Sequence, residues 1–257
     1  MNDKWKNINQ NNRNIITGKT LRKFHNKTVW INRDNLMGNL SNSEINWVKE
    51  NSGSNSSYLP SIYSKKVPFG QPKSISNRGS IREYKDEYIN LDKLKQLLNT
   101  AFGSNEMNYS RRYPSAGGLF TVIPIMYVFR DSKELNNGIY VYDANKYDLL
   151  KIKSAICQDK DLLDAFGAMK KEDILTSRYA IGYAVNFDGS IAKYGLRGYR
   201  HSLIEVGLMA QAFRETCIEL GIGEYCYSAF DDIELTYASN LSVRDMPICL
   251  IQWFGVI

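Results

Sequence analysis

KYGLRGYRHSLIEVGLMAQ, residues Lys193–Gln211, opens the longest periodic segment of the chain. From about Tyr199 to Leu220 the apolar residues Leu203, Val206, Ala210, Phe213 and Cys217 return every three or four positions. Gly221 follows as a terminator, which predicts one long helix with a core-facing stripe. Gly207 and Ala210 are small enough to let another helix or a planar ligand come close, although periodicity alone is satisfied by plain helix packing. A helix of this length needs a sheet or other helices to cover its stripe, and the surrounding sequence supplies both.

Upstream, LDKLKQLLNTAF after Asn90 places Leu91, Leu94, Leu97, Leu98 and Phe102 on one face and stops at Gly103, which predicts an amphipathic helix. Strands are expected at Thr121–Arg130, at Gly138–Asp143 after the Asn136-Asn137-Gly138 turn, at Arg178–Phe187 and at Pro247–Phe254, with a short one inside GIGEYCYSAFDD (Gly221–Asp232). Shorter helices are expected at Asp159–Phe166, Glu172–Thr176 and Asp231–Ser239. Helices interleave with strands, at least one hairpin is present, and no GxGxxG opens a helix. That order predicts an α+β fold, a central mixed or antiparallel sheet flanked by helices, rather than a Rossmann alternation.

The 257 residues carry 33 Lys+Arg against 27 Asp+Glu, but the excess sits at one end. Residues 1–57 hold nine basic and four acidic residues together with 14 Asn, so the rest of the chain is close to neutral. The body has no basic stripe with interleaved aromatics, which argues against nucleic acid as a partner. The longest apolar run, Leu119–Phe129, is eleven residues broken by Pro124 and too short to cross a membrane. The N-terminus has no apolar segment of a secretory signal, so a cytoplasmic location is expected. Cys157, Cys217, Cys226 and Cys249 show no CxxC spacing, and His25 and His201 stand far apart, so no metal site is expected; the thiols read as buried and reduced. His201 reads as a satisfied helix histidine. Two segments are expected: a basic, Asn-rich arm over 1–57 with one capped helix at Ser41–Asn51, and a folded domain over 58–257.

Four patterns could carry chemistry. In Arg78-Gly79-Ser80-Ile81-Arg82 the alternate positions 78, 80 and 82 put two guanidiniums and a hydroxyl on one extended face, a donor set for a phosphate monoester or simply a solvated loop. Arg111–Gly118 (RRYPSAGG) ends in small residues against which a flat ring could lie, or which form a plain tight turn. Lys193-Tyr194 supplies two groups able to act as a base once desolvated, although such pairs are commonly surface residues. Gly221–Asp232 could wall a pocket or merely connect two elements.

In this order, RGSIR, RRYPSAGGLF, GIYVYD, KYGLRGYRHSLIEVGLMAQ and GIGEYCYSAFDD resemble the SagB-type dehydrogenases, the thiazoline and oxazoline oxidase branch of the FMN-dependent nitroreductase superfamily. The resemblance covers about residues 58–257, with KFHNKT around His25 similar to the N-terminal arm of that branch. It implies a nitroreductase-like fold and a homodimer with FMN at the subunit interface. Arg78, Ser80 and Arg82 would anchor the phosphate and ribityl chain, Pro114, Ser115, Ala116 and Gly117 would line the isoalloxazine, and Gln211, Ser228 and Ala229 would complete the pocket. Lys193 and Tyr194 fall on the pair regarded as catalytic in the branch. Its members dehydrogenate azolines in a precursor peptide to thiazoles and oxazoles, beside a cyclodehydratase, with oxygen reoxidising the flavin. Phe120-Thr121 stands where the branch often has Tyr-Pro, and no basic tail follows Ile257, which would leave Arg78 and Arg82 a larger share of the phosphate. Two other functions remain open in the sequence: an NAD(P)H-dependent nitro or flavin reductase, which needs no Lys-Tyr pair, and a non-catalytic subunit that keeps the fold to hold a modifying complex together.

Overall fold

The structure, a computed structural model, describes residues 12–28, 41–51, 64–70, 79–105, 107–154, 156, 159–166 and 177–257. The chain forms two compact units, Met1–Arg33 with Ser80–Ile257 and, separately, Asp34–Gly79. In the larger unit the elements run α1 (Asn12–His25), α3 (Leu91–Phe102), β1 (Val122–Val128), β2 (Gly138–Asp143), β3 (Asp148–Ser154), α4 (Lys160–Ala165), β4 (Tyr179–Val185), α5 (Phe187–Tyr194), α6 (Arg197–Glu219), β5 (Gly223–Tyr227), α7 (Asp232–Ala238) and β6 (Ile248–Gly255). The smaller unit holds α2 (Asn42–Asn51), entered through the expected capping box: the Glu44 carboxylate accepts from the Ser41 backbone N–H at 2.7 Å.

The six strands form one sheet in the order β3-β2-β1-β4-β6-β5, and every described pairing is antiparallel. β1 (VIPIMYV) and β4 (YAIGYAV) lie at its centre and are buried along almost their whole length, as strands covered on both faces must be. Pro124 sits in β1 ahead of the first residue paired to β2, Ile125, so its missing N–H does not interrupt that ladder. One face packs α3 and α6, whose buried stripes include Leu94, Leu97, Leu98, Phe102, Val206, Met209 and Phe213; Phe102 and Phe213 stack at 5.4 Å. The other face packs Leu162, Phe166, Phe230 and Leu235 from α4, α7 and their ends.

α3, α4 and α7 start where the sequence places their caps. Asn90, Asp159 and Asp231 each accept from backbone N–H groups in the first turn. Three elements differ from the sequence expectation. α1 is an additional helix in the arm, held by Leu21 in the core, an Arg22–Asp188 ion pair at 3.2 Å and a His25–Tyr199 hydrogen bond at 3.3 Å. β3 is an additional edge strand, and α5 is an additional helix between the expected strand at Arg178–Phe187 and the long helix. The helix expected at Glu172–Thr176 lies outside the described residues, as does Cys157. Cys217 is buried, but Cys226 and Cys249 are only half-buried, because both lie in strands near the sheet's β5 edge.

Gly207 departs too. It faces open space, with Leu203, Ile204 and Leu208 exposed around it, while the buried stripe runs through Val206, Ala210 and Phe213. No helix among the described residues is long and apolar enough to cross a membrane.

Candidate active site

α5 begins at Asn186, whose side chain accepts from the Gly189 N–H at 3.3 Å, and ends at Lys193-Tyr194. Gly195, with φ of 59°, turns the chain directly into α6. A Cβ on Gly198 would collide with the Ser190 backbone, so the glycine is what allows the first turn of α6 to press against α5. The two helices therefore form one rigid hairpin with Lys193 and Tyr194 at its bend. The Tyr194 ring meets His201 edge-on at 4.9 Å, and the Lys193 ammonium lies 5.6 Å from the centre of the Tyr194 ring.

The bend leans over the loop Pro114–Phe120. Lys193 Nζ donates to the Gly117 carbonyl at 3.4 Å, and a Cβ added to Gly117 would run into both Lys193 Nζ and Tyr194 Oη. The two reactive groups thus share one small space over that glycine. Gly117 and Gly118, with φ of 65° and 66°, form a single 3-10 turn with Ala116, and Phe120 is also left-handed at 48°. Pro114, Gly117 and Gly118 are exposed, so the loop presents a flat, side-chain-poor surface next to the amine and the phenol.

Beneath the loop lies Glu205 of α6, 3% exposed. Ser115 Oγ donates to Glu205 Oε2 at 2.5 Å and accepts from the Phe120 N–H at 2.8 Å, while the Val122 N–H donates to Glu205 Oε1 at 3.1 Å. Burial pushes the Glu205 carboxyl above its ordinary range, opposed by the Ser115 hydrogen bond. At the loop's start Arg112 pairs with Glu219 and lies 3.7 Å from Glu215, which in turn accepts from Gln211 at 3.3 Å. Gln211 is therefore joined to the loop through α6 side chains, on the exposed side of the helix.

Ser80 and Arg82 stand elsewhere. Ile81 donates its N–H to the Glu224 carbonyl at 3.1 Å, so the segment runs along the free edge of β5. Ser80 and Arg82 line a cleft of about 660 Å³ with Tyr84, Lys85 and Ile257, and the Arg82 guanidinium lies 5.4 Å from the Tyr225 ring centre. The cleft is wide open, and although the hydroxyl and guanidinium could donate to a phosphate group, the Glu83 carboxylate lines it beside them. Arg78 lies outside the described residues. Ser228, with His25, Thr28, Tyr199 and Leu203, lines a second cleft of about 290 Å³, and the neighbouring Ala229 carbonyl accepts from Tyr227 at 2.7 Å. Within one chain, then, Lys193, Tyr194, Ser115, Ala116 and Gly117 come together, whereas Ser80 and Arg82 line one cleft and Ser228 another.

A sequence model described as the nitroreductase family matches residues 75–255. The chain belongs to the nitroreductase family. A nitroreductase-family protein of Methanocaldococcus jannaschii, MJ1384, is 27% identical over 177 residues, 69% of this chain and 86% of that protein. The microcin B17-processing protein McbC of Escherichia coli is 25% identical over 173 residues, 65% of this chain and 62% of McbC. That match spans less than two thirds of McbC. Among solved structures, a chain of the E. coli microcin synthetase McbBCD complex with truncated pro-MccB17 bound has a TM-score of 0.75 at 19% identity, covering 94% of this chain and 93% of that one. A nitroreductase-family protein from Ralstonia eutropha has a TM-score of 0.58 at 20% identity, covering 74% and 87%. These likenesses establish the nitroreductase-like α+β fold.

As a nitroreductase-family oxidoreductase, the chain belongs among proteins that generally hold a flavin. Its residues fit one: a glycine surface whose side chains are absent where Lys193 and Tyr194 close over it, and a phosphate donor set at Ser80 and Arg82. Glu205 has no place among the residues expected from sequence, where an acidic helix residue reads as a solvated one. Its position was the available signal: it falls on the arc of α6 shared by Ser202, Met209 and Ala212, all of them buried.

Proposed function

We propose that this protein is an FMN-dependent azoline oxidase, converting thiazolines or oxazolines of a precursor peptide to the aromatic thiazoles or oxazoles. The observation that carries the reading is the meeting of Lys193 Nζ and Tyr194 Oη over Gly117. The microcin-processing relative and the McbBCD structural neighbour point in the same direction. Aromatising an azoline breaks a Cα–H bond as a proton, breaks a Cβ–H bond as a hydride and forms a double bond between those carbons. Bound FMN supplies the two-electron acceptor, with oxygen as the final one. The chain's own contribution is the base: the Lys193-Tyr194 pair takes the Cα proton from a ring laid beside Gly117, a role typically worth ~10²–10⁴-fold in rate. Pro114, Ser115, Ala116 and Gly117 would back the flavin ring, Ser80 and Arg82 with Arg78 would hold its phosphate, and Gln211, Ser228 and Ala229 would border the site.

Those groups are divided between separate places in one chain, which favours a homodimer in which each flavin touches both copies. α6 offers the surface for it, a line of exposed apolar side chains at Leu196, Leu203, Ile204 and Leu208 with Gly207 open between them. The peptide substrate would be delivered from a cyclodehydratase in the same complex.

The test is an absorption spectrum of purified protein reconstituted with FMN, followed by anaerobic addition of an azoline peptide and, separately, of NADH or NADPH. Bleaching by the azoline peptide and not by either nucleotide supports the oxidase. The reverse pattern would establish a reductase. Lys193→Ala is expected to lower azoline turnover by ~10²–10⁴-fold with flavin still bound; unchanged turnover would remove the pair from the chemistry.

A further inference from the structure

We propose that Glu205 is the positioning residue of this site: its buried carboxylate holds Ser115 in one rotamer and so fixes the left-handed turn against which Lys193 and Tyr194 lie. The inference rests on the oxidase reading for the consequence in turnover, but not for the coupling between Glu205 and the loop.

A carboxylate 3% exposed is costly unless its oxygens are matched, and although the Arg111 charge acts on Glu205 it forms no ion pair with it. Its matching groups all belong to the segment 115–122. Oε2 accepts from Ser115 Oγ and Oε1 from the Val122 N–H, so one side chain ties the beginning of the loop to its end. The Ser115 hydroxyl can give its single proton to only one acceptor. With that proton committed to Glu205, its lone pairs face the Phe120 N–H, which donates to it at 2.8 Å. Thr121 Oγ1 and Ser202 Oγ add a contact at 3.3 Å on the same side of α6.

The loop needs such restraint. Gly117, Gly118 and Phe120 are left-handed at φ of 65°, 66° and 48°, and Phe120 adopts that geometry against the usual preference of a residue with a side chain. A conformation of this kind persists where its surroundings over-determine it. Glu205 provides that from the same rigid hairpin that carries the amine and the phenol, since α6 is pressed against α5 at Gly198. The distance between the reactive pair and the glycine surface is therefore set by a carboxylate that touches neither.

The experiment compares wild type, Glu205→Gln, Ser115→Ala and the double variant. The first readout is amide hydrogen exchange over residues 113–121, taken with and without FMN. Each single change is expected to speed exchange in that segment by ~10-fold relative to the rest of the sheet, equivalent to one lost hydrogen bond. The double variant is expected to exceed the faster single one by clearly less than the sum of the two, because the changes share the Ser115–Glu205 link while each also affects a bond of its own, to the Phe120 or the Val122 N–H. The second readout is azoline-peptide kinetics, expected to show kcat lowered by ~10–100-fold with KM little changed, as when a supporting residue is lost. Exchange that rises evenly through the protein, or effects of the two changes that add, would reduce Glu205 to a stabilising core residue and overturn the inference. Should Glu205→Gln not fold, Ser115→Ala in the half-buried loop carries the same exchange test. If wild type binds no FMN or leaves azolines untouched, the oxidase reading fails while the exchange coupling still decides the role of Glu205.

Discussion

Helix α6 buries a carboxyl, Glu205, and a guanidinium, Arg214, and surrounds them in opposite ways. Arg214 meets a carboxylate: Nε donates to Glu224 Oε1 at 2.5 Å, a second nitrogen donates to Oε2 at 3.2 Å, and Gln252 completes that oxygen at 2.5 Å while accepting from Tyr183. Burial works against the Arg214 cation, yet the attached Glu224 holds its pKa above the ordinary value. Glu205 is bonded to a hydroxyl and main-chain N–H groups and not to a cation; burial raises its pKa, against the Ser115 hydrogen bond and the nearby Arg111 charge. The first arrangement balances charge and locks α6 to β5, β6 and β4. The second gives a buried carboxyl no ion pair and ties it to a loop instead, an expense that makes sense where the loop's shape matters more than stability.

The largest expected effect comes from breaking the balanced network. Arg214→Met leaves Glu224 buried without its cation and should destabilise the protein by about 3–5 kcal/mol, read as a large drop in the thermal midpoint. A shift no greater than that of a surface substitution would mean that Glu224 is reached by water and the contrast with Glu205 is false.

A smaller pair of effects separates the loop's backbone from the site above it. Gly117→Ala and Gly118→Ala impose the same left-handed strain, about 1–2 kcal/mol each. At Gly118 the new methyl enters open space, whereas at Gly117 it displaces the ends of Lys193 and Tyr194. Equal losses of stability are expected, with azoline turnover falling ~10-fold or more only for Gly117→Ala. If both variants lose turnover alike, the loop acts through its backbone and not through the space it leaves.

The smallest effect is in pH. Because Glu205 binds its proton more tightly folded than unfolded, stability falls as pH rises from its ordinary value of 4.5 through the raised folded one, and is level above it. Glu205→Gln should remove that fall, so the difference between variant and wild-type thermal midpoints should change as pH rises above 4.5 and then stay constant. A difference independent of pH would show Glu205 to be solvated.

Much of this was readable from the chain. Buried central strands, a capped amphipathic α3 and the long α6 follow from local patterns that the tertiary structure reinforces, whereas Ser115 and Gly117 are joined to Lys193 and Tyr194 only by the family resemblance, since they lie far apart in the chain. α5 escaped notice because eight residues give barely two turns of periodicity, although Asn186 is a proper cap. β3 (DLLKIKS) is an edge strand with mostly exposed side chains and shows little alternation. α1 has no apolar stripe; what holds it are Leu21, Arg22 and His25 meeting distant α5 and α6 residues, which local sequence does not encode. Placing Ser80 and Arg82 beside β5, and Ser228 next to His25, likewise depended on topology.

The segment from Ser80 to Lys85 does more than line a cleft. A six-stranded open sheet has two raw edges, and an exposed edge is a template for other chains. On one side β3 carries the exposed Lys151, a charge that discourages a visiting strand, while Lys153 is ion-paired with Asp159 at 2.6 Å. On the other, the β5 edge is capped by Ile81 on Glu224, while Lys85 bonds to Val256 beyond β6. The stretch with the proposed phosphate anchors is thus also the selvedge of the sheet, and damage there would first be seen as aggregated protein in the pellet, before any assay of oxidation could be run.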